Sequence, residues 1–458
     1  MIRKVKIGIW VPQKHAKATY KNENYNIRQN AGMAVVADIL RREGHQVEYA
    51  SSAAIGGYDF ALVSITAAVD WRPFLRERQT WAKGPIVIAG GPGVLNIRPH
   101  RPWVDYFVLG RAEGAIEKLI AGEAHRSIID SKNFNPDGEY HINQAEGPYP
   151  HRLTLENGAS YQEGMIGCPY ACHFCGYTWH RKPTAGEFRT GDLWSGGEDI
   201  EMAILDIAKG ARITNLDRLR TTAIDGTSER LRALVNKPIT SDVLRATIYR
   251  LATEGRKPGK GRQIIFYNIL GLPTETEADW HELYVDIEAV DRDLPQTSRY
   301  GEARGLKIVI HSTPFNATPG TPLATARMPQ REYRGALSRE LGPDLEGLRI
   351  YDGRGLFVAD SQTVEGQATV SEIAIMLRAT EQDSDRIAAW ARTTAFDNLP
   401  NSKKQATLAK HFDLDRMHQE YTADDLPTRY LRSHRQIKYR TELNGQRKEK
   451  DARIIDRR

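Results

Sequence analysis

Gly167-Cys168-Pro169-Tyr170-Ala171-Cys172-His173-Phe174-Cys175-Gly176 contains every cysteine of the 458-residue chain, three in all, spaced C-x3-C-x2-C. An odd number confined to so short a run argues against a disulfide framework and for a metal or redox site. A cubane 4Fe-4S cluster normally takes four thiolates. Three on one tight loop hold such a cluster and leave one iron open to another ligand. Structural zinc would need a fourth ligand, for which His173 and His180 are close in sequence, but this is not a usual zinc spacing. The spacing favours a cluster held by Cys168, Cys172 and Cys175, with zinc as the alternative.

Outward from this loop the chain resembles the radical S-adenosylmethionine (radical SAM) enzymes. The resemblance implies that the three cysteines hold the 4Fe-4S cluster and that its free iron chelates the amino and carboxylate groups of S-adenosyl-L-methionine (SAM). One electron then cleaves a C–S bond of SAM and releases a 5′-deoxyadenosyl radical. The cofactor carries the hard chemistry, while the protein orients it and excludes water. Phe174, the aromatic of the family motif, is expected beside the SAM adenine. The resemblance also implies an electron donor such as a flavodoxin or ferredoxin.

Further segments match in order. Thr221-Thr222-Ala223-Ile224-Asp225-Gly226-Thr227 looks like the family's third barrel strand. That strand usually ends in an acidic residue contacting SAM; Asp225 matches it, although glutamate is commoner. Tyr267-Asn268-Ile269-Leu270-Gly271-Leu272-Pro273-Thr274-Glu275-Thr276-Glu277 resembles the Gly-Leu-Pro-x-Glu-Thr turn of the subgroup containing tRNA methylthiotransferases and cobalamin-domain enzymes. It makes Asn268 a SAM-side candidate and Gly271 a point of close backbone approach. Thr313 to Pro322 looks like the segment that closes the barrel.

Each piece has a plainer reading. Asp225 reads equally as a cap for the helix after it, and Gly-Leu-Pro before Thr and Glu as a turn opening a helix. Gly196-Gly197-Glu198 suggests the family's glycine-glycine-glutamate motif for the SAM amine. It lies too near Cys175 for a helix to intervene, and Ser195-x-x-Glu198 fits a capping box better.

The expected fold class is α/β. Over residues 1–121, strand-like runs at 5–11, 60–65, 85–89 and 106–109 alternate with a helical stretch from Ala31 to Glu43 that stops at Gly44. This predicts a doubly wound parallel sheet. Val87-Ile88-Ala89-Gly90-Gly91-Pro92-Gly93 and Val104 to Glu113 look like the cobalamin-binding-type domain that precedes many radical SAM barrels. The Asp-x-His-x-x-Gly motif for a lower axial histidine is absent. Bound cobalamin is an open expectation, less favoured than a scaffold role. Residues 122–160, rich in Gly, Pro, Asn and His, read as a linker, and 161–328 as a partial (β/α) TIM-type barrel. Within it, helices are expected at 197–209, 228–236, 240–254 and 276–290, and strands at 218–224, 263–270 and 306–312. Residues 329–430 read as a helical segment and 431–458 as a basic tail.

Charge and cysteine use narrow the function. The tail holds ten Lys/Arg and four Asp/Glu, which leaves 54 of each sign before it, so the net +6 is confined there. Such a run suits nucleic-acid phosphates and equally a solvated terminus. No stretch of about 20 apolar residues offers a membrane span. The opening residues lack the apolar core of a signal peptide, so a cytoplasmic protein is expected (host cytoplasm if viral). With all three cysteines on one cluster, sulfur insertion through a second cluster and methyl transfer through a methylated cysteine have no ligands. Hydrogen abstraction followed by rearrangement suits the composition best. The first expectation is an isomerase of a modified nucleobase, similar in type to bacteriophage enzymes that rearrange amino-acid-decorated thymidines in viral DNA. The alternatives are a cobalamin-dependent methyltransferase or cyclase and a zinc-stabilised nucleic-acid-binding protein. No residue emerges as an acid–base catalyst.

Overall fold

The near-continuous apolar runs of the N-terminal third suit strands covered on both faces. A computed structural model describes residues 4–12, 31–81, 84–154, 160–163, 166, 171–182, 204, 221–253, 262–294, 306–329, 348–353, 355–360, 366–399 and 401–432. In it those runs become β1 (Lys6–Trp10), β3 (Phe60–Ser64), β4 (Ile86–Gly90) and β5 (Tyr106–Val108), and a polar strand not expected from the sequence, β2 (Gln46–Tyr49), joins them. The sheet order is β2-β1-β3-β4-β5-β6, parallel except for β6 (Ile128–Asp130), which runs antiparallel to β5.

Alternate residues of each strand face opposite layers. Ile7, Ile9, Leu62 and Ile88 pack with α1 (Ala31–Arg42), whose Val36, Ile39 and Leu40 recur at helical spacing, and with Ile116 and Leu119 of α3 (Ile116–Ile120). On the other face Ala61, Val63, Val87 and Phe107 meet Trp71, Phe74 and Leu75 of α2 (Trp71–Arg78).

The expected linker carries more structure than its composition suggests. Besides β6 it supplies β7 (Tyr140–His141) and the strands β8 (Leu153–Thr154) and β9 (Ser160–Tyr161), which pair with each other. Two- and three-residue strands held by edge pairing have too few positions to show a period of two.

The second sheet has the order β10-β11-β12-β14-β13. β10 (Thr221–Ala223), β11 (Arg262–Leu270), β12 (Leu306–Pro314) and β14 (Leu356–Asp360) are parallel; β13 (Leu348–Asp352) is antiparallel to β14. Ile264, Phe266, Ile308 and Ile310 point into the layer formed by α6 (Ser241–Thr253) and α7 (Glu277–Asp293). On the opposite face half-buried Tyr267 and His311 meet edge-on at 5.7 Å. α5 (Glu229–Leu234) follows β10, and α4 (Gly176–His180) follows the cysteines. The helix expected over 197–209 lies outside the described residues apart from Ile204.

Beyond residue 329 the expectation was helix, and β13 and β14 depart from it. Leu348-Arg349-Ile350-Tyr351-Asp352 and Leu356-Phe357-Val358-Ala359-Asp360 flank a glycine-containing turn, a hairpin pattern. The remainder is helical: α8 (Gly366–Arg378), α9 (Ser384–Ala391), α10 (Asn401–His411) and α11 (Leu414–His418), then β15 (Leu431–Arg432), which pairs with β7. One apolar core joins the α2 face of the first sheet to Phe315, Met328, Ile375 and Trp390. The chain is thus a mixed α/β protein with two largely parallel sheets. Among the described residues no helix is long and apolar enough to cross a membrane.

Candidate functional site

Cys172 is buried and Cys175, at the start of α4, is half-buried; Cys168 lies outside the described residues. The Cys175 amide donates to the Cys172 carbonyl at 3.1 Å, and the Trp179 indole N–H donates to the same oxygen at 2.9 Å. This tight turn is clasped from two sides. His173 donates its amide to the Val235 carbonyl at 3.0 Å, and the Asn236 side-chain amide donates to the Ala171 carbonyl at 2.9 Å. Opposite, the Leu323 amide donates to the His173 carbonyl at 3.2 Å, which seats the loop on the segment expected to close the barrel.

The two nearby histidines hold backbone. His173 Nδ1 lies 2.8 Å from the Leu234 carbonyl, and His180 Nε2 lies 2.7 Å from the Pro319 carbonyl. Burial lowers the His180 pKa to about 4, so its ring is neutral. Among the described residues no three His, Cys, Asp or Glu side chains gather as metal ligands.

The sulfurs nonetheless sit where thiolates can be held. Both cysteines belong to one apolar cluster with Ile224, Ile239 and Phe174. Burial pushes the Cys175 thiol up, while the backbone amides of Thr178 and Tyr177 bond to it and favour the anion. Asp225 adds to the effect of burial, and the Lys237 ammonium opposes it. A desolvated pocket with sulfur, amide donors and a nearby cation fits a thiolate-bound cluster.

Asp225 leaves β10 in the left-handed region, at φ 53°. Its amide and that of Ile224 both donate to the Tyr267 carbonyl, at 3.3 and 2.9 Å. The Asp225 carboxylate is ion-paired with Lys237, both side chains nearly buried, and the Lys237 ammonium also donates to the Ala223 carbonyl at 3.1 Å. Buried charges persist only when paired in this way. The helix-cap reading of Asp225 is overturned: Ser228 caps α5, its hydroxyl accepting from the Leu231 amide at 3.2 Å.

Asn268, adjacent to Tyr267, is buried; its amide donates to Ser312 Oγ at 3.3 Å, and its Oδ1 has no hydrogen-bond partner among the described residues. Gly271 takes φ 75°, and the group approaching it closely is the chain's own Pro329 ring. The rest of this turn is structural. Glu275 accepts from the Gly271 and Leu272 amides at 2.6 and 3.0 Å and from the Trp280 indole at 2.8 Å. Thr276 and Asp279 then form the capping box of α7.

Cys172, Phe174, Cys175 and Asp225 thus come together, with Asn268 linked through the Tyr267 backbone and Gly271 at the strand end beyond. Sequence reasoning missed Lys237 as a site residue. It follows α5 at a helix end, and the periodicity of α5 says nothing about where that side chain turns.

No family model and no curated protein matches this chain. A solved structure that aligns with it is the cobalamin-dependent S-adenosylmethionine radical enzyme OxsB, in its apo, selenomethionine-labelled form. Identity is 11%, the TM-score is 0.21, and the alignment covers 98% of this chain and 62% of that one.

Proposed function

We propose that Cys168, Cys172 and Cys175 bind a 4Fe-4S cluster and that the chain uses SAM for radical chemistry, isomerising a modified nucleobase. The observation that carries this reading is that buried Cys172 and half-buried Cys175 share an apolar cluster beside the Asp225–Lys237 pair, with backbone amides donating to the Cys175 sulfur. When bound, the cluster supplies the electron for reductive cleavage of SAM, delivered in turn by a flavodoxin- or ferredoxin-type donor. The chain's own groups bind, orient and desolvate. Phe174 and Ile224 pack with the cysteines in one apolar cluster. Asp225 and Lys237 offer opposite charges side by side, the complement of an amino-acid zwitterion such as that of SAM. Asn268 keeps a buried acceptor unused nearby.

Two features support the finer reading. All the cysteines stand in one motif, which leaves no ligands for a sacrificial second cluster. A rearrangement needs none, because the hydrogen removed can return to the product. The root of the basic tail is also tied to the cysteine segment. The Ile142 amide donates to the Arg432 carbonyl at 3.1 Å. Two residues on, Gln144 donates to the His180 carbonyl at 2.7 Å and accepts from the Lys182 amide at 2.6 Å. The described chain therefore ends close to α4, and the cationic composition of the sequence after it suits the phosphates of DNA.

The test is anaerobic reconstitution of the full chain. About four irons per chain and 5′-deoxyadenosine formation from SAM under dithionite are expected, both lost in Cys172→Ala. Bound zinc without iron, or no SAM cleavage by the iron-loaded protein, overturns the proposal.

A further inference from the structure

Open parallel sheets hold ligands at the carboxyl ends of their strands, and in the N-terminal sheet the described part of that edge is filled by the chain itself. After β4, Gly91 takes φ 109°, and a Cβ there would stand 2.5 Å from the Ile65 carbonyl oxygen; one on Gly93 would stand 2.6 Å from Ala67 backbone. The Gly93 amide donates to the Ile65 carbonyl at 2.8 Å, and the Gly93 carbonyl accepts from the Trp71 indole at 2.9 Å. The glycine-rich loop is therefore pressed onto the loop after β3. It does not form an open cradle. After β5 the same holds: a Cβ on Gly110 would stand 2.5 Å from the Asn143 carbonyl oxygen.

The outer side of these loops is occupied as well. The Asn96 side-chain amide donates to the Met376 and Ala379 carbonyls, at 3.1 and 2.9 Å, where α8 ends. The buried Tyr430 hydroxyl donates to the Leu95 carbonyl and accepts from the Ile97 amide, both at 2.8 Å. Arg72 lies over the Phe396 ring at 4.5 Å and donates to the Thr393 carbonyl at 2.9 Å. Val94, Ile97, Ala374, Ile375 and Trp390 share one apolar core.

We infer that the edge after β3, β4 and β5 is an intramolecular seat for the chain's own residues 374–396 and Tyr430, and that it does not take cobalamin. A corrin is a broad flat macrocycle. Laid on this edge, it would displace Asn96 and Tyr430 from their partners and leave the Leu95 carbonyl and Ile97 amide buried and unpaired, a cost that apolar contact with a macrocycle does not return. The sheet instead frames the C-terminal segment, which continues through Tyr430 to Arg432 and so to the linker strand β7. Cobalamin-dependent methyl transfer drops out of the reaction classes open to this chain, whichever chemistry the cysteines serve.

The full-length protein is titrated with hydroxocobalamin, following the visible spectrum and retention on dialysis. No saturable spectral change and no retained corrinoid are expected; saturation at one equivalent overturns the inference. A second measurement tests the seat directly. Hydrogen exchange should show peptides over 93–97 and 374–379 protected together, and Tyr430→Phe should speed exchange in both by about tenfold. Exchange that rises in only one peptide, or in neither, overturns the proposed coupling.

Discussion

Glu275 carries two opposed demands on one carboxylate. Its oxygens accept three N–H groups, which favour the anion, yet burial dominates and pushes its pKa up to about 7 from an ordinary 4.5. A folded-state pKa above the unfolded one means that the folded protein holds the proton more tightly. The stability gained is therefore complete below about pH 4.5 and disappears as pH rises through about 7, on the order of 3 kcal/mol across that window. Glu275→Gln is neutral at every pH, so its urea midpoint should stay nearly level from pH 5 to 8 while that of the wild type falls. Parallel profiles for the two proteins would contradict this account. At this scale the sequence was legible wherever chemistry is local. Three cysteines within eight residues raise the expectation of a metal site without any tertiary knowledge, and the turn from Cys172 to Cys175 is itself a local hydrogen bond. Lys237 was not legible, because its pairing with Asp225 depends on how the end of α5 folds back over β10.

Elements were legible in proportion to their length. The 17 residues of α7 begin at a Thr-x-x-Asp box and carry an apolar stripe, and the expected helix at 276–290 lies within one residue of the observed start. The strands of β11 and β12 were equally clear, since each is nine residues long and has a β-branched or aromatic centre, Ile264 to Tyr267 and Ile308 to Ile310. Short edge strands such as β6 were not, nor was the hairpin β13–β14, whose pattern was overridden by the polar helical stretches around it. The start of α7 also joins two elements, because Asp279 accepts from the Ser228 hydroxyl that caps α5, from Thr276 and from Arg230. Asp279→Ala removes a cap and leaves buried donors unpaired, and should cost about 3 kcal/mol. Glu288→Ala, on the exposed face of the same helix and paired with Arg292 at 3.8 Å, should cost less than about 0.5 kcal/mol. Urea denaturation of the two variants separates an anchoring role from general helix propensity; equal losses would show that Asp279 anchors nothing.

For the molecule as a whole, the uneven charge was legible by counting, but the place from which it acts was not. Tyr430 and Leu431 are buried in the main core and Arg432 pairs with Glu139 at 2.7 Å, so in the sequence an anchor immediately precedes the charged residues. That arrangement makes truncation informative. Ending the chain at Arg432 keeps the anchor whole while removing nine Lys/Arg and four Asp/Glu, which takes the formal charge from +6 to +1. The shortened protein should melt like the full chain and, by the chemistry proposed for the cysteines, should still load iron. Its affinity for duplex DNA should fall, and the slope of log affinity against log salt should flatten by about 0.9 for each phosphate that the tail no longer neutralises. A fold that neutralises phosphates by itself would keep the original slope after truncation. The first 430 residues carry as many acidic as basic side chains, and that neutrality is why the slope, more than the affinity at any one salt concentration, decides whether nucleic acid is held by the tail. An unchanged slope would detach the nucleobase reading from the tail while leaving the cysteine chemistry to stand on its own test.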